Sequence, residues 1–381
     1  MLTEQILTNA QVVGAEQVFH GTVVLRNGLI AEVSEGRSRL PQAQDLHGDY
    51  LLPGLVELHT DNLEKHLSPR PGVDWPSASA VLSHDAQIIS SGITTVFDAL
   101  SIGDVNPKGK RMQQLPAMLE AIAAANAAGL TRAEHRLHLR CEVCHPDTLS
   151  VFRDLVEQPL VQLVSVMDHS PGQRQFALES KYREYYMGKY HLTTAQMDEF
   201  IVEQVANSRK YSDNYRRAIV EDCLARGLSV ASHDDATVAH VEESAGYGMT
   251  IAEFPTTLEA AQTCRRLGMS VLMGAPNVVR GGSHSGNVAA AGLAKTGLLD
   301  ILSSDYYPAS LLQAAFALAD QAQNCSLPQA VSMVSKAPAI AAGLADRGEI
   351  RIGLRADLVH VRTQGALPVI QHVWRQGKRV Y

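Results

Sequence analysis

Residues 51–61 read Leu51-Leu52-Pro53-Gly54-Leu55-Val56-Glu57-Leu58-His59-Thr60-Asp61, an apolar run ending on two metal-ligand types two positions apart. Alternate residues of a strand share a face. The run therefore predicts a strand over 54–60 from which His59 and Asp61 project together and Thr60 projects away. An imidazole and a carboxylate side by side at a strand's carboxyl end make a sound start to a metal centre. The plainer reading is a strand end passing into a polar loop, and the rest of the chain decides between them.

Seven further apolar stretches follow, at 92–99, 136–143, 161–168, 228–233, 249–254, 270–275 and 299–304. Helix-like segments separate most of them, among them the Ala-rich 115–129, the long 195–226 and 257–267. Thr193 with Gln196 forms a capping box that opens the long helix. Eight strands alternating with helices are the count of a (β/α)8 TIM-like barrel. Residues before about 50 read instead as short strands, with a hairpin signal at Asn27-Gly28. Segments 357–361 and 369–380 have the same character. The expected division is a small β-sandwich domain from 1–52 and 343–381, with the barrel over 53–342.

Composition narrows the function. The 381 residues are 45% hydrophobic and 19% charged, with a net charge of −7. Such a surface does not attract nucleic acid or an anionic membrane, so an anionic substrate needs local positive charge or a metal. The N-terminus carries Glu4 and lacks a basic secretory region, and no run of about 18 apolar residues offers a membrane span. Five cysteines at irregular spacing suit reduced thiols in a cytoplasm.

Chemistry in such a barrel sits at the carboxyl ends of the strands. After His59 and Asp61, the strands end in order on Asp98, Glu142, Asp168-His169, His233-Asp234-Asp235, Glu253, the segment Asn277 to Asn287, and Asp305. One histidine at a strand end is more often structural. Many strand ends each carrying His, Asp or Glu converge as a metal cluster requires. Other motifs fail. Cys141-Glu142-Val143-Cys144-His145 has the haem-attachment pattern without an export signal, and no second cysteine pair completes a zinc ribbon. Gly103 to Arg111 lacks the spacing and hydroxyl of a P-loop, and His284 occupies the centre of Gly282-Ser283-His284-Ser285-Gly286 where a nucleophile elbow needs serine.

The β-rich ends, the Pro53 to His59 entry and the Asp305 strand end resemble the amidohydrolase superfamily over essentially the whole chain. Glu57 to His66, Pro69-Arg70-Pro71-Gly72-Val73, Met167-Asp168-His169-Ser170-Pro171-Gly172-Gln173 and Gly281 to Asn287 look like its phosphonate-utilisation branch. That resemblance implies hydrolysis of ribose 1-methylphosphonate 5-triphosphate, with release of pyrophosphate, beside other proteins of the carbon–phosphorus lyase pathway. It implies divalent metal ions, two in number, with zinc favoured and manganese or another transition metal the alternative. The chain departs from the superfamily's His-x-His by placing Asp61 second, which hardens the site. No lysine ends the fourth strand, so the bridging role passes to Glu142. The implied ligands are His59, Asp61, Glu142, His169, His233 and Asp305, with Glu253 behind them or itself a ligand, and Asp305 also the proton acceptor.

For the phosphates, Gly-rich 280–287 offers Arg280, Gly282, Ser283, His284, Ser285 and Asn287, and the first loop offers Lys65, His66 and Arg70. Lys108, Lys110 and Arg111 compete for that role, and each cation is equally well read as a solvated surface charge. Lys181, Arg183 and Lys189 among tyrosines suit a lid over the sugar, or simply the start of an amphipathic helix. Two further functions stay open: amide or amine hydrolysis of a ring substrate, and a scaffold without catalysis. A homo-oligomer is equally compatible.

Overall fold

The computed structural model describes residues 4–106, 109–174, 179–283, 286–321 and 325–381. Its strands are β1 (Glu4–Val13), β2 (Val18–Arg26), β3 (Leu29–Glu35), β4 (Gln44–Asp45), β5 (Tyr50–Pro53), β6 (Leu55–Thr60), β7 (Ile93–Ile102) and β8 (Glu134–Glu142). They continue as β9 (Val161–Met167), β10 (Ser229–His233), β11 (Ile251–Glu253), β12 (Ser270–Gly274), β13 (Ile301–Ser303), β14 (Leu358–Gln364), β15 (Leu367–Arg375) and β16 (Lys378–Arg379). Strands β6 to β13 form one sheet in chain order, and a parallel bridge between Thr60 and Asp305 brings the first strand's end to the last. The fold is the expected TIM-like barrel. Every residue of β6 is buried, as a strand covered on both faces requires.

The termini build a separate, mostly antiparallel sheet in the order β16-β15-β14-β5-β1-β2-β3, with β4 on β1. Its core includes Leu7, Val23, Leu25, Leu51, Leu358 and the fully buried Trp374. Gly54 links β5 to β6. A Cβ there would stand 2.3 Å from the Thr94 hydroxyl oxygen, so only glycine allows the chain to pass.

The chain forms two compact units. One holds Met1–Asp98, Ala121–Arg136 and Met273–Tyr381; the other holds Ala99–Glu120 and Leu137–Leu272. In the second, the helix Thr194–Ala225 opens on the expected capping box. The Thr193 side chain accepts from the Gln196 N–H, and Gln196 Oε1 accepts from the Thr193 N–H at 2.9 Å. Such a cap is worth about 1 kcal/mol. The helix packs Met197, Phe200 and Ile201 against Tyr182 and Tyr186 of the helix Glu179–Tyr190. Among the described residues, no helix is long and apolar enough to cross a membrane.

One boundary differs from expectation with consequence. Strand β7 runs to Ile102, so Asp98 is a mid-strand residue paired in register with Thr60. It therefore shares the face of Thr60, opposite to that of the neighbouring His59. Gly103-Asp104 ends the strand four residues later than the polar side chain of Asp98 suggested.

Candidate metal centre

In the first unit, His59, Asp61 and Asp305 are held by a backbone clasp. The Asp305 N–H donates to the His59 carbonyl at 3.1 Å, and the Asp61 N–H donates to the Asp305 carbonyl at 3.2 Å. The Thr60 hydroxyl adds a bond of 2.7 Å to the same carbonyl. Asp305 sits at φ +54°, which Asp and Asn adopt most readily after glycine. Behind the clasp, the fully buried Glu57 accepts the His59 N–H at 2.7 Å and the Ser304 N–H at 2.6 Å. Burial pushes the Glu57 pKa up to about 8, with the Asp305 charge adding to the rise and the two N–H donors opposing it. Asp61 Oδ1 is buried and accepts no hydrogen bond among the described residues. A carboxylate oxygen left so, beside an imidazole, fits a cation, because a buried polar atom without a partner is costly.

In the second unit, Glu142 ends β8 and takes two bonds from His169, from its N–H at 3.0 Å and its Nδ1 at 2.5 Å. His169 Nε2 and His233 Nε2 each lie 3.5 Å from the same oxygen of Asp234. The two rings stand edge to face with centroids 5.5 Å apart. His233 Nδ1 is 3.1 Å from Glu253 Oε2, the contact that orients a ligating imidazole. Burial drives the His233 pKa down to about 3. Burial also opposes charge on His169, but the Glu142 carboxylate and then Asp234 hold it up to about 10. Paired carboxylates that pull a proton onto a buried imidazole supply the negative potential a divalent cation needs.

Asp234, quoted with His233 and Asp235 at the fifth strand's end, was left out of the implied ligand set. It occupies φ +57° just beyond β10, which turns its carboxylate back to both histidines. Its place next to His233 was the available signal. Cys144, with its thiol 3.2 Å from Glu142 Oε1, is buried and its pKa is raised well above the ordinary value by burial and then by Glu142, so it stays a thiol.

The expected substrate cations are spread out. Lys65 binds the Tyr306 carbonyl and lies over that residue's ring, while Arg70 and Arg280 are exposed. Gly282, at φ +156°, donates its N–H to the Asn277 carbonyl at 2.8 Å. Ser283 and Asn287 are half-buried, and Asn277 Oδ1 accepts from Ala290 where the loop returns. His284, Ser285, Lys108 and the Lys181 side chain lie outside the described residues.

Asp98 belongs to a separate buried cluster in the first unit. Its two oxygens meet His84 Nε2 at 2.7 Å and His135 Nδ1 at 2.8 Å. Burial opposes charge on both partners, but their mutual attraction holds His135 up to about 9 and Asp98 far below the usual carboxylate range. The His135 contribution to stability is full below its ordinary pKa of 6.5 and is lost as pH rises through about 9. That of Asp98 is present above its ordinary 3.8 and lost on acidification. The thermal midpoint should therefore fall between pH 6.5 and 9, with a visibly shallower slope in His135→Gln. Equal slopes in wild type and variant would show that folding puts no proton on this ring.

Residues 87–381 match the amidohydrolase family. The chain is 57% identical over 377 residues to the alpha-D-ribose 1-methylphosphonate 5-triphosphate diphosphatase of Escherichia coli K12, covering 99% of this chain and 100% of that one. Among solved structures, 5-methylcytosine deaminase from Klebsiella pneumoniae superposes with a TM-score of 0.65 at 14% identity, covering 99% of this chain and 97% of that one. N-isopropylammelide isopropylaminohydrolase from Burkholderia multivorans superposes with a TM-score of 0.62 at 16% identity, covering 99% and 98%. Those two likenesses establish the fold alone.

Proposed function

We infer the activity from one premise: the chain belongs to the amidohydrolase family. The protein hydrolyses α-D-ribose 1-methylphosphonate 5-triphosphate to the 5-phosphate and pyrophosphate, as a step in phosphonate breakdown. The observation that carries this reading is the 57% identity to the Escherichia coli diphosphatase across the full length of both chains. The chemistry of the site agrees. Its donors are imidazoles and carboxylates, suited to a transition-metal ion facing phosphate oxygens.

Metal-dependent chemistry suits both clusters. We assign two divalent ions to His59, Asp61, Glu142, His169, His233 and Asp305, zinc first and manganese second, with Asp234 as a further candidate ligand. Bound there, such ions lower the pKa of water and neutralise charge on the phosphoryl oxygens. Asp305 accepts the proton of the water that attacks the α-phosphorus and returns one to the departing pyrophosphate. Glu57 and Glu253 orient His59 and His233. Residues 1–52 with 343–381 serve as the small domain, and 53–342 as the catalytic one. The five free, buried cysteines suit a cytoplasmic setting beside the other enzymes of the pathway.

Phosphorus NMR of the products tests the reaction. Pyrophosphate with ribose 1-methylphosphonate 5-phosphate is expected, and orthophosphate as first product would sink the reading. Loop 280–287 is assigned to the terminal phosphates. Arg280→Ala should raise KM for the triphosphate roughly tenfold more than for a diphosphate analogue, the worth of one charge-assisted contact. Equal shifts for both substrates would transfer that role to Lys65 and Arg70.

A further inference from the structure

The Asp98 cluster continues to the half-buried His66. His135 Nε2 is anchored 3.3 Å from Asp85, which also accepts the Arg132 and Ala133 N–H groups at 2.8 and 2.9 Å. From there the chain runs His135–Asp98–His84, then from His84 Nδ1 to Asn62 Nδ2 at 3.1 Å. Asn62 Nδ2 also reaches Gln87 Oε1 at 2.9 Å, and His66 Nε2 meets that same oxygen at 3.0 Å. His84, Asp85, Asp98, His135 and Asn62 are all buried to within 1%.

Donor logic fixes every proton in this chain. An ionised carboxylate only accepts, so both rings on Asp98 donate to it. His84 then carries its proton on Nε2, and its Nδ1 is left to accept. Burial, which lowers the His84 pKa, keeps that ring neutral. Asn62 must present its NH2 inward, and its two hydrogens go to His84 Nδ1 and Gln87 Oε1. The Gln87 carbonyl oxygen can only accept, so His66 Nε2 donates to it. His66 Nε2 also lies 3.3 Å from Asn62 Nδ2, a donor that adds no bond once Nε2 holds a proton. In neutral His66 the lone pair therefore falls on Nδ1, an atom with no hydrogen-bond partner among the described residues.

We propose that the His135–Asp98–His84–Asn62–Gln87 chain is a positioning relay that presents His66 Nδ1 as an acceptor for a hydroxyl of the substrate's sugar. A lone pair there repels phosphate oxygens and accepts an O–H. His66 thus reads the ribose and leaves the triphosphate to the cations. The inference rests on the function proposed above only for the identity of the sugar. Asn62 directly follows Asp61 and shares its helix Asn62–Leu67 with His66, so the relay also sets the direction in which the first loop leaves the metal-binding strand.

Two measurements test it. Two-bond proton–nitrogen NMR of histidine-labelled protein, with His66 assigned by its absence in His66→Ala, should show the proton on Nε2 in the wild type. A wild-type ring protonated on Nδ1 overturns the relay whatever the enzyme's substrate is. The second compares KM for ribose 1-methylphosphonate 5-triphosphate with KM for its 2-deoxy and 3-deoxy analogues. Wild type should disfavour one analogue roughly tenfold, since a site built to bond a hydroxyl rejects the compound lacking it. Gln87→Leu and His66→Ala should both shrink that ratio to roughly twofold or less by losing the bond, and Gln87→Glu, which keeps the acceptor, should restore it. A ratio unmoved by Gln87→Leu overturns the proposal. Failure to release pyrophosphate from any of these compounds would instead defeat the proposed reaction and leave the NMR result to judge the relay.

Discussion

Asp305→Asn should lower kcat by about 10²- to 10⁴-fold, the usual worth of a positioned acid–base group, while most of the metal stays bound. The local structure makes this substitution unusually clean. Asp305 holds φ +54°, which asparagine tolerates, and its backbone N–H and carbonyl make the clasp to His59, Thr60 and Asp61 regardless of the side chain. An amide oxygen still coordinates weakly, but it does not take up the proton of the attacking water. Metal content by elemental analysis and kcat from pyrophosphate release are read on the same sample. A near-normal kcat would make Asp305 a ligand only, with the base elsewhere.

The second large effect is on metal itself. His59→Ala and His233→Ala remove one imidazole from each unit's cluster, and each should strip metal and activity together, with affinity falling by more than about 100-fold. Glu253→Gln keeps a partner for His233 Nδ1, found 3.1 Å from Glu253 Oε2, and should cost about 10- to 100-fold at most. Full occupancy in both alanine variants would remove these histidines from the ligand set.

Period-two alternation singled out His59 and Asp61 in the sequence, but the register of β6 with β7 shifts between Glu57 and Thr60, and Asp61 lies just past the strand's end. All eight barrel strands were readable as apolar runs covered on both sides. Asp98 was not, because its role depends on where β7 stops and on its register with Thr60, a tertiary fact. His84 and His135 went unremarked because one sits within a helix and the other at the start of a strand, away from the carboxyl ends where chemistry was sought. Asp234 was visible at its strand's end, but its turn toward both histidines depends on a left-handed backbone angle that sequence alone rarely signals in a non-glycine residue.

The bond from Ser304 to Glu57 spans 247 residues. The Glu57 side chain that accepts the His59 N–H is made early in synthesis and receives one of its two donors only when the eighth barrel strand has emerged. At about 5–20 residues per second, a ribosome needs roughly 12–50 s to cover that distance. Through that interval the growing polypeptide carries the first two proposed metal ligands, His59 and Asp61, without the clasp that aligns their backbone. A lone His–x–Asp pair holds a metal only loosely, so on the proposed ligand set loading belongs to the finished chain. Truncation anywhere before residue 305 should therefore abolish metal binding at the proposed centre, however much of the barrel has assembled; metal retained by such a fragment would remove Asp305 from the proposed ligand set.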